Sequence, residues 1–87
     1  MRQDTEIDPA RLAQVRDVVA EVFSAEPAAV EAAGSFEDDL DTNSLLAVDL
    51  CIRLETDFSI SISNDELPQL MTDLRTVYEF VADKAKW

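Results

Sequence analysis

The sequence has 87 residues, no histidine and a single cysteine, and its 19 acidic and 7 basic residues give a formal net charge of -12. This length allows one small domain with its own core, and the composition excludes an internal disulfide, an imidazole base and a histidine metal site. The charge makes nucleic acid and anionic membranes poor partners and favours basic protein surfaces.

The first predicted helix lies in the stretch "DPARLAQVRDVVAEVF". Asp8 is the expected N-cap and Pro9 the first helical residue, because proline has no amide hydrogen to lose there. Apolar residues recur at three- and four-residue steps, which predicts a helix that buries one stripe; they are Leu12, Val15, Val19, Val22 and Phe23. Residues 24–35 contain Pro27 and the only glycine, so we predict a connecting loop that Val30 anchors in the core.

A second helix is predicted from Ser44 to Asp57, capped by Asn43 or Ser44, because either short polar side chain can accept a hydrogen bond from a first-turn amide. Two neighbouring apolar rows run along it: Leu46, Leu50, Leu54 and Phe58 in one, and Leu45, Val48 and Ile52 in the other. A helix in so small a domain can hardly be covered on every side. The second row therefore either lines an interior cavity or is available to a partner.

The segment "SISIS" that follows has the period of a strand. Because no second strand is available to pair with it, we predict an extended connection that Ile60 and Ile62 hold against the core. The next stretch, "NDELPQLM", predicts one or two turns of helix, with Asn64 as cap and Pro68 within the first turn.

A last helix is predicted after Thr72 or Asp73, one of which caps it. Its buried stripe comprises Leu74, Val77, Tyr78 and Val81, and Lys84 and Lys86 lie at the C-terminal end, where cations suit the helix dipole. The predicted fold is all-α, a small bundle of three main helices and one short helix. No apolar run is long enough to span a membrane and no secretion signal is present, so we expect one cytoplasmic domain over residues 1–87, ordered from about residue 8 to about residue 85.

Acidic residues are concentrated in the middle of the chain. Residues 35–66 contain nine acids and one base, Arg53, which gives a net charge of -8, whereas residues 67–87 balance to zero. An acidic stretch is often only a solvated face. The excess nevertheless indicates where a partner is to be sought.

Within this stretch, Asp39, Asp41 and Asn43 alternate like the ligands of a calcium loop. Such a loop also needs a glycine at its sixth position and a bidentate glutamate at its twelfth. Ser44 and Leu50 occupy those positions. Without the sharp turn and two of the ligand oxygens, the pattern argues against calcium, and no metal site is predicted.

Ser44 has two interpretations. In the simpler one it only helps to cap the second helix. In the other, its hydroxyl faces the unpaired amides and the positive end of the helix dipole, a position that stabilises an attached phosphate. The chain has no histidine, and no lysine lies near Ser44 in the sequence, so another protein would have to modify this hydroxyl.

Two stretches carry a family resemblance: "SFEDDLDTNSL" and, at the end of the second helix, "LETDFSISI". Together they resemble the acyl carrier protein family, whose pattern is a Phe and an Asp-Leu before Asp-Ser-Leu, then Leu-Glu, Phe and paired isoleucines. The resemblance implies that a phosphopantetheinyl transferase moves 4′-phosphopantetheine from coenzyme A onto Ser44, beside Asn43 and Leu45. Acyl intermediates would then be carried as thioesters on the terminal thiol, by a carrier that is not itself an enzyme.

In such a carrier, the surplus apolar row of the second helix would dock partners or border a cavity for the acyl chain, and nearby acids would speed encounter with basic enzyme surfaces. The expected docking residues are Leu45, Val48, Asp49, Ile52, Glu55 and Asp57. The implied partners are the transferase and acyl-loading, condensing and tailoring enzymes, with no nucleic acid and no membrane insertion.

Several positions depart from the family pattern. Asn43 stands where Asp is usual, Asp41 where Gly is common, Leu46 where many members are polar, and Ser63 where Pro is frequent. These departures favour a discrete carrier of polyketide or nonribosomal peptide assembly over a housekeeping carrier of fatty-acid synthesis. Two other hypotheses stay open: an unmodified, acidic interaction module with a carrier-like fold, and a small calcium-responsive protein.

Overall fold

A computed structural model describes residues 7–40 and 42–87. Its helices are α1 (Pro9–Phe23), α2 (Pro27–Ala32), α3 (Phe36–Asp39), α4 (Ser44–Phe58) and α5 (Leu74–Ala85), and a 3₁₀ segment, Asn64–Met71, connects the last two. The predicted all-α bundle is confirmed, with α1, α4 and α5 as the three main helices. None of the helices in the described ranges has the length and apolar character needed to cross a bilayer.

The start of α1 agrees with the prediction. The Asp8 carboxylate accepts a hydrogen bond from the amide of Ala10 at 2.9 Å, and Pro9 is the first helical residue. The helix ends at Phe23, and the next residue, Ser24, adopts the left-handed conformation with φ 54°.

Residues 24–35 were expected to form a loop, but they contain the six-residue helix α2. Pro27 does not interrupt this helix because it occupies the first turn, where its missing amide hydrogen costs nothing. Val30 is fully buried, as predicted. The one-turn helix α3 follows, and its first amide, that of Phe36, donates to the carbonyl of Thr72 at 2.7 Å.

The core lies between the three long helices, with the aromatic ring of Phe36 packed edge-on against Phe23. The predicted stripes of α1, α4 and α5 supply most of it, while Leu12, Val22, Leu46 and Phe58 are only partly buried at its edge. The fully buried large side chains are Val15, Val19, Val30, Phe36, Leu50, Leu54, Leu70, Val77 and Val81.

Between α4 and the 3₁₀ segment, the described residues form neither a helix nor a strand. Ile60 is buried and Ile62 half-buried, as predicted. The cap of the 3₁₀ segment is Ser63 and not Asn64, because Glu66 reaches back to the Ser63 amide in a capping box. The segment therefore begins at Asn64, and Pro68 lies beyond its first turn.

The C-terminal helix α5 is capped by Asp73, whose carboxylate accepts from the amide of Thr76 at 2.8 Å. After the helix, Trp87 folds back onto the bundle. Its ring lies 5.5 Å from that of Phe58 and 5.6 Å from that of Tyr78, with the guanidinium of Arg11 4.8 Å from the ring centre. This aromatic cluster closes the end of the bundle at which α4 finishes.

Candidate functional site

Ser44 is the first residue of α4, and its side chain is exposed. Of the two predicted caps, Asn43 is the one observed: its Oδ1 accepts hydrogen bonds from the amides of Leu45 at 3.0 Å and Leu46 at 3.2 Å. The Ser44 hydroxyl is therefore not needed to cap the start of the helix. It is available to solvent and to an enzyme.

The Asn43 cap also corrects one expectation about Ser44. The amides of Leu45 and Leu46 were expected to be unpaired, yet the Asn43 side chain occupies both. A phosphate on Ser44 would thus be stabilised by the positive end of the α4 dipole more than by direct bonds to these amides. The fifteen-residue length of α4 is sufficient for that dipole to be well developed.

An open groove of about 580 Å³ lies beside Ser44, between the start of α4, the turn before α3 and the 3₁₀ segment. Its surface is mainly apolar, and Ala47, which is almost completely buried, forms part of it. The lining residues are Gly34, Ser35, Glu37, Ser44, Leu45, Ala47, Val48, Leu67, Pro68, Met71 and Thr72. Ser44 therefore lies on the rim of a space that is suited to an apolar chain.

The sequence predicted that a surplus apolar face would either line a cavity or be left available to a partner. In the structure, part of this face borders the groove and all of it is exposed. Leu45 and Val48 line the groove, and they are also exposed, as is Ile52, with exposed fractions of 75, 43 and 55%. They are the only large apolar side chains exposed among the described residues. Asp49 lies on the same exposed face, at helical spacing from its neighbours.

The carboxylates of the two other predicted docking residues are engaged within the domain. Glu55 is half-buried, and its Oε2 accepts a hydrogen bond from the amide of Ile62 at 2.8 Å. Asp57 lies on the side of α4 that faces α1, where Arg53 donates to it at 3.4 Å and to Glu21 at 2.8 Å. The structure thus leaves four of the six predicted residues, Leu45, Val48, Asp49 and Ile52, exposed together on one face of α4, whereas Glu55 beside them is half-buried and hydrogen-bonded.

The two described residues of the calcium pattern use their side-chain oxygens in bonds to backbone amides. The Oδ2 of Asp39 accepts from the amides of Gly34 and Ser35, at 2.7 and 3.3 Å, and the side-chain oxygen of Asn43 caps α4. Asp41, the remaining residue of the pattern, lies outside the described residues. Where the chain is described, no three carboxylate or thiol side chains come together as a metal site requires.

Two further ionisable groups lie near the middle of α4. Burial raises the pKa of the Cys51 thiol, and the charges of Glu55 and Glu66 add to the effect, so this thiol is a poor nucleophile at neutral pH. Glu66 behaves in the opposite way. The Lys84 ammonium, 2.9 Å away, and the Ser63 amide lower the pKa of Glu66 to about 2.

The groove wall opposite α4 was not predicted from the sequence. Leu67, Pro68 and Met71 supply that wall, and they were considered only as parts of a short helix. Ala47 was also missed, because a single small residue within an apolar helix carries no distinctive pattern. Its position between two bulky apolar neighbours, Leu46 and Val48, is the one available signal.

Residues 13–83 match the model of the family described as the phosphopantetheine attachment site. The polyketide-8 synthase acyl carrier protein 2 of Streptomyces avermitilis is 34% identical over 71 residues, which cover 82% of this chain and 80% of that protein. The acyl carrier protein of Thermosynechococcus vestitus is 34% identical over 73 residues, 84% of this chain and 89% of that protein.

A solved structure gives the same result for the fold. A chain in the structure of the ishigamide ketosynthase/chain length factor superposes with a TM-score of 0.74 at 31% sequence identity, covering 92% of this chain and all of that one. The family match spans most of the sequence and includes the Asn43–Leu46 start of α4. The chain therefore belongs to the acyl carrier protein family, whose prosthetic group is a covalently attached 4′-phosphopantetheine.

Proposed function

We propose that Ser44 is the attachment residue and that the chain carries acyl intermediates as thioesters on the attached arm, without catalysing a reaction itself. The observation that carries the proposal is the position of the Ser44 hydroxyl. It is exposed at the first residue of α4, and it lies on the rim of an apolar groove and beside an exposed apolar face. A cargo and a partner enzyme can therefore both meet at this one residue.

Loading requires a second protein. In the transfer, the Ser44 Oγ forms a bond to the β-phosphorus of coenzyme A and loses its proton, while the pyrophosphate bond breaks and adenosine 3′,5′-bisphosphate leaves. Glu37 is the one ionisable residue among the described residues that line the groove, and the chain has no histidine. A phosphopantetheinyl transferase would supply the base and the bound magnesium.

We further propose that the whole chain is one carrier domain of a polyketide pathway. The support is the polyketide synthase carrier from Streptomyces avermitilis and the structural match within a ketosynthase/chain length factor structure. Its partners would be acyl-loading, condensing and tailoring enzymes. The expected cytoplasmic location stays a prediction.

These enzymes would dock on the exposed face of α4. Leu45, Val48 and Ile52 offer apolar contact, and Asp49 offers a carboxylate that makes no ion pair within the described residues. A basic enzyme surface complements that charge and would be steered towards it. The position of Ser44 at one end of this face would place the arm next to the docked enzyme.

Mass spectrometry tests the attachment directly. After incubation with coenzyme A, magnesium and a transferase of broad specificity, the protein should gain one phosphopantetheinyl group, on the peptide that contains Ser44. The Ser44→Ala variant should gain nothing. Ser35→Ala is the matched control, because this serine lines the same groove and its side chain caps no helix, and it should be loaded like the wild type.

One result would support the alternative of an unmodified interaction module. This result is that several transferases leave the folded wild-type protein without added mass while they modify another carrier protein in the same reaction. The specific feature behind this alternative is Asn43, which supplies the cap bonds but no negative charge before Ser44.

A further inference from the structure

The chain between α4 and α5 is held in place by two carboxylates. Glu55, on α4, accepts the amide of Ile62 at 2.8 Å. Glu66 accepts the amide and the hydroxyl of Ser63, at 2.9 and 3.0 Å, and the ammonium of Lys84 on α5 at 2.9 Å. One carboxylate thus fixes the connection to α4, and the other fixes the 3₁₀ segment to α5.

The segment that these carboxylates hold is one wall of the groove beside Ser44, through Leu67, Pro68 and Met71. Its own backbone bonding is a weak restraint, because a 3₁₀ helix of eight residues is unusually long and Pro68 removes one of its donors. Leu70 is the one fully buried side chain of the segment. Besides the packing of Leu70, and of Leu67 and Met71 at the edge of the core, the side-chain bonds of Glu55 and Glu66 therefore help to position the segment.

We propose that Glu55 is a positioning residue for the groove: through the amide of Ile62 it sets the distance between the 3₁₀ segment and α4, and so the width available to an acyl chain. The inference rests on the proposed function, in which the groove receives cargo attached to Ser44. It assigns to Glu55 a role that differs from the one predicted from sequence. Its carboxylate is used inside the domain and is not simply a charge offered to a partner.

The two roles of Glu55 make opposite demands on its side chain. Positioning requires an acceptor oxygen at the reach of a glutamate, and a negative charge only strengthens the bond. Docking requires the negative charge, while one methylene of reach matters little on an exposed surface. Glu55→Gln keeps the reach and loses the charge, whereas Glu55→Asp keeps the charge and loses the reach.

Amide hydrogen exchange of the purified, unloaded 87-residue protein separates these roles. With Glu55→Asp, the exchange of the Ile62 amide should quicken by about tenfold or more, the factor expected when a bond to a charged acceptor is lost. The amides of Leu67 and Met71 should follow it, while those in the middle of α1 should not change. With Glu55→Gln, all of these amides should stay within about threefold of the wild type. Asp49→Asn is the control, because this exposed acid makes no such bond.

A second measurement tests whether an acyl chain attached to Ser44 reaches the groove wall formed by Leu67 and Met71. The wild type, Glu55→Gln and Glu55→Asp are each loaded from octanoyl-coenzyme A by the transferase, and their spectra are compared with those of the unloaded proteins. Loading should shift the amide resonances of Leu67 and Met71 in the first two proteins and much less in Glu55→Asp. If Ser44 is not loaded in any protein, the proposed function fails, whereas the exchange experiment still tests the role of Glu55.

The proposal is overturned if Glu55→Asp exchanges like the wild type at Ile62, or if Glu55→Gln exchanges as fast as Glu55→Asp. A uniform increase at all amides, α1 included, would also overturn it, since that pattern means a general loss of stability and not a displaced wall.

Discussion

Leu45 and Leu54 lie on the same helix but on opposite faces, so truncating each to alanine measures what each face contributes. Leu54 is completely buried and Leu45 is 75% exposed. Each change removes three carbon groups, worth about 2.4 kcal/mol when fully buried, at about 0.8 kcal/mol for each group. For Leu54→Ala the cavity left behind raises the total cost to about 3 to 5 kcal/mol. For Leu45→Ala only about a quarter of the transfer value applies, roughly 0.6 kcal/mol.

The measurement is urea unfolding followed by far-UV circular dichroism, with midpoints converted to free energies of unfolding. A domain of this kind has about 5 to 15 kcal/mol in total, so Leu54→Ala should lower the midpoint greatly or unfold the protein. Leu45→Ala should leave the midpoint almost unchanged and weaken association with a partner synthase enzyme instead. Equal losses of stability in the two variants would show that our assignment of the α4 faces is wrong.

Three further predictions concern charged and polar groups. Asn43→Asp should change the free energy of unfolding by only a few tenths of a kcal/mol, because either side chain offers the same capping oxygen. It should raise the rate at which a generic transferase loads Ser44. An unchanged rate would mean that the charge at position 43 has no bearing on loading. Asp49→Lys should change the free energy of unfolding by less than about 0.5 kcal/mol. It should slow association with a basic enzyme in low salt, and this defect should shrink as salt is added. An unchanged association rate in low salt would show that Asp49 is not part of the docking face. The loss of stability in Glu66→Gln should be largest at neutral pH. The pKa of Glu66 is about 2 in the folded protein, against an ordinary value of 4.5. The contribution of its charge to the free energy of unfolding is therefore complete above about pH 4.5 and disappears as the pH falls from about 4.5 to about 2. Urea midpoints of both proteins across this range test it, and a difference that does not depend on pH would contradict the Lys84 ion pair.

Local signals in the sequence were enough to predict the parts of the fold that depend on near neighbours. Asp8 and Pro9 at the start of α1, and the apolar stripe of α5, are examples, because a cap or a helical stripe is determined within a few residues. The loop predicted around Pro27 was wrong for the same reason. The local effect of this proline as a helix breaker was given more weight than its suitability for the first turn of α2.

The candidate site was predictable in part. Ser44 and the exposed face of α4 could be identified because both belong to one continuous segment. The opposite groove wall, with Met71, and the bond from Glu55 to Ile62 could not be, since they depend on how the chain returns after α4. The surroundings of Asp57 could not be predicted either. Its charge was evident from the sequence, but its orientation towards α1 and Arg53 is a property of the packed bundle.

The position of Trp87 gives the protein an internal optical reporter of folding. It is the only tryptophan in the sequence, and it packs against Phe58, the last residue of α4, whereas Ser44 is the first. The fifteen residues between these ends span roughly 22 Å. Fluorescence emission from the indole should therefore change when the bundle melts but stay constant when Ser44 is derivatised. A single cuvette measurement can thus separate a variant that fails to load because it is unfolded from one that is folded but not recognised.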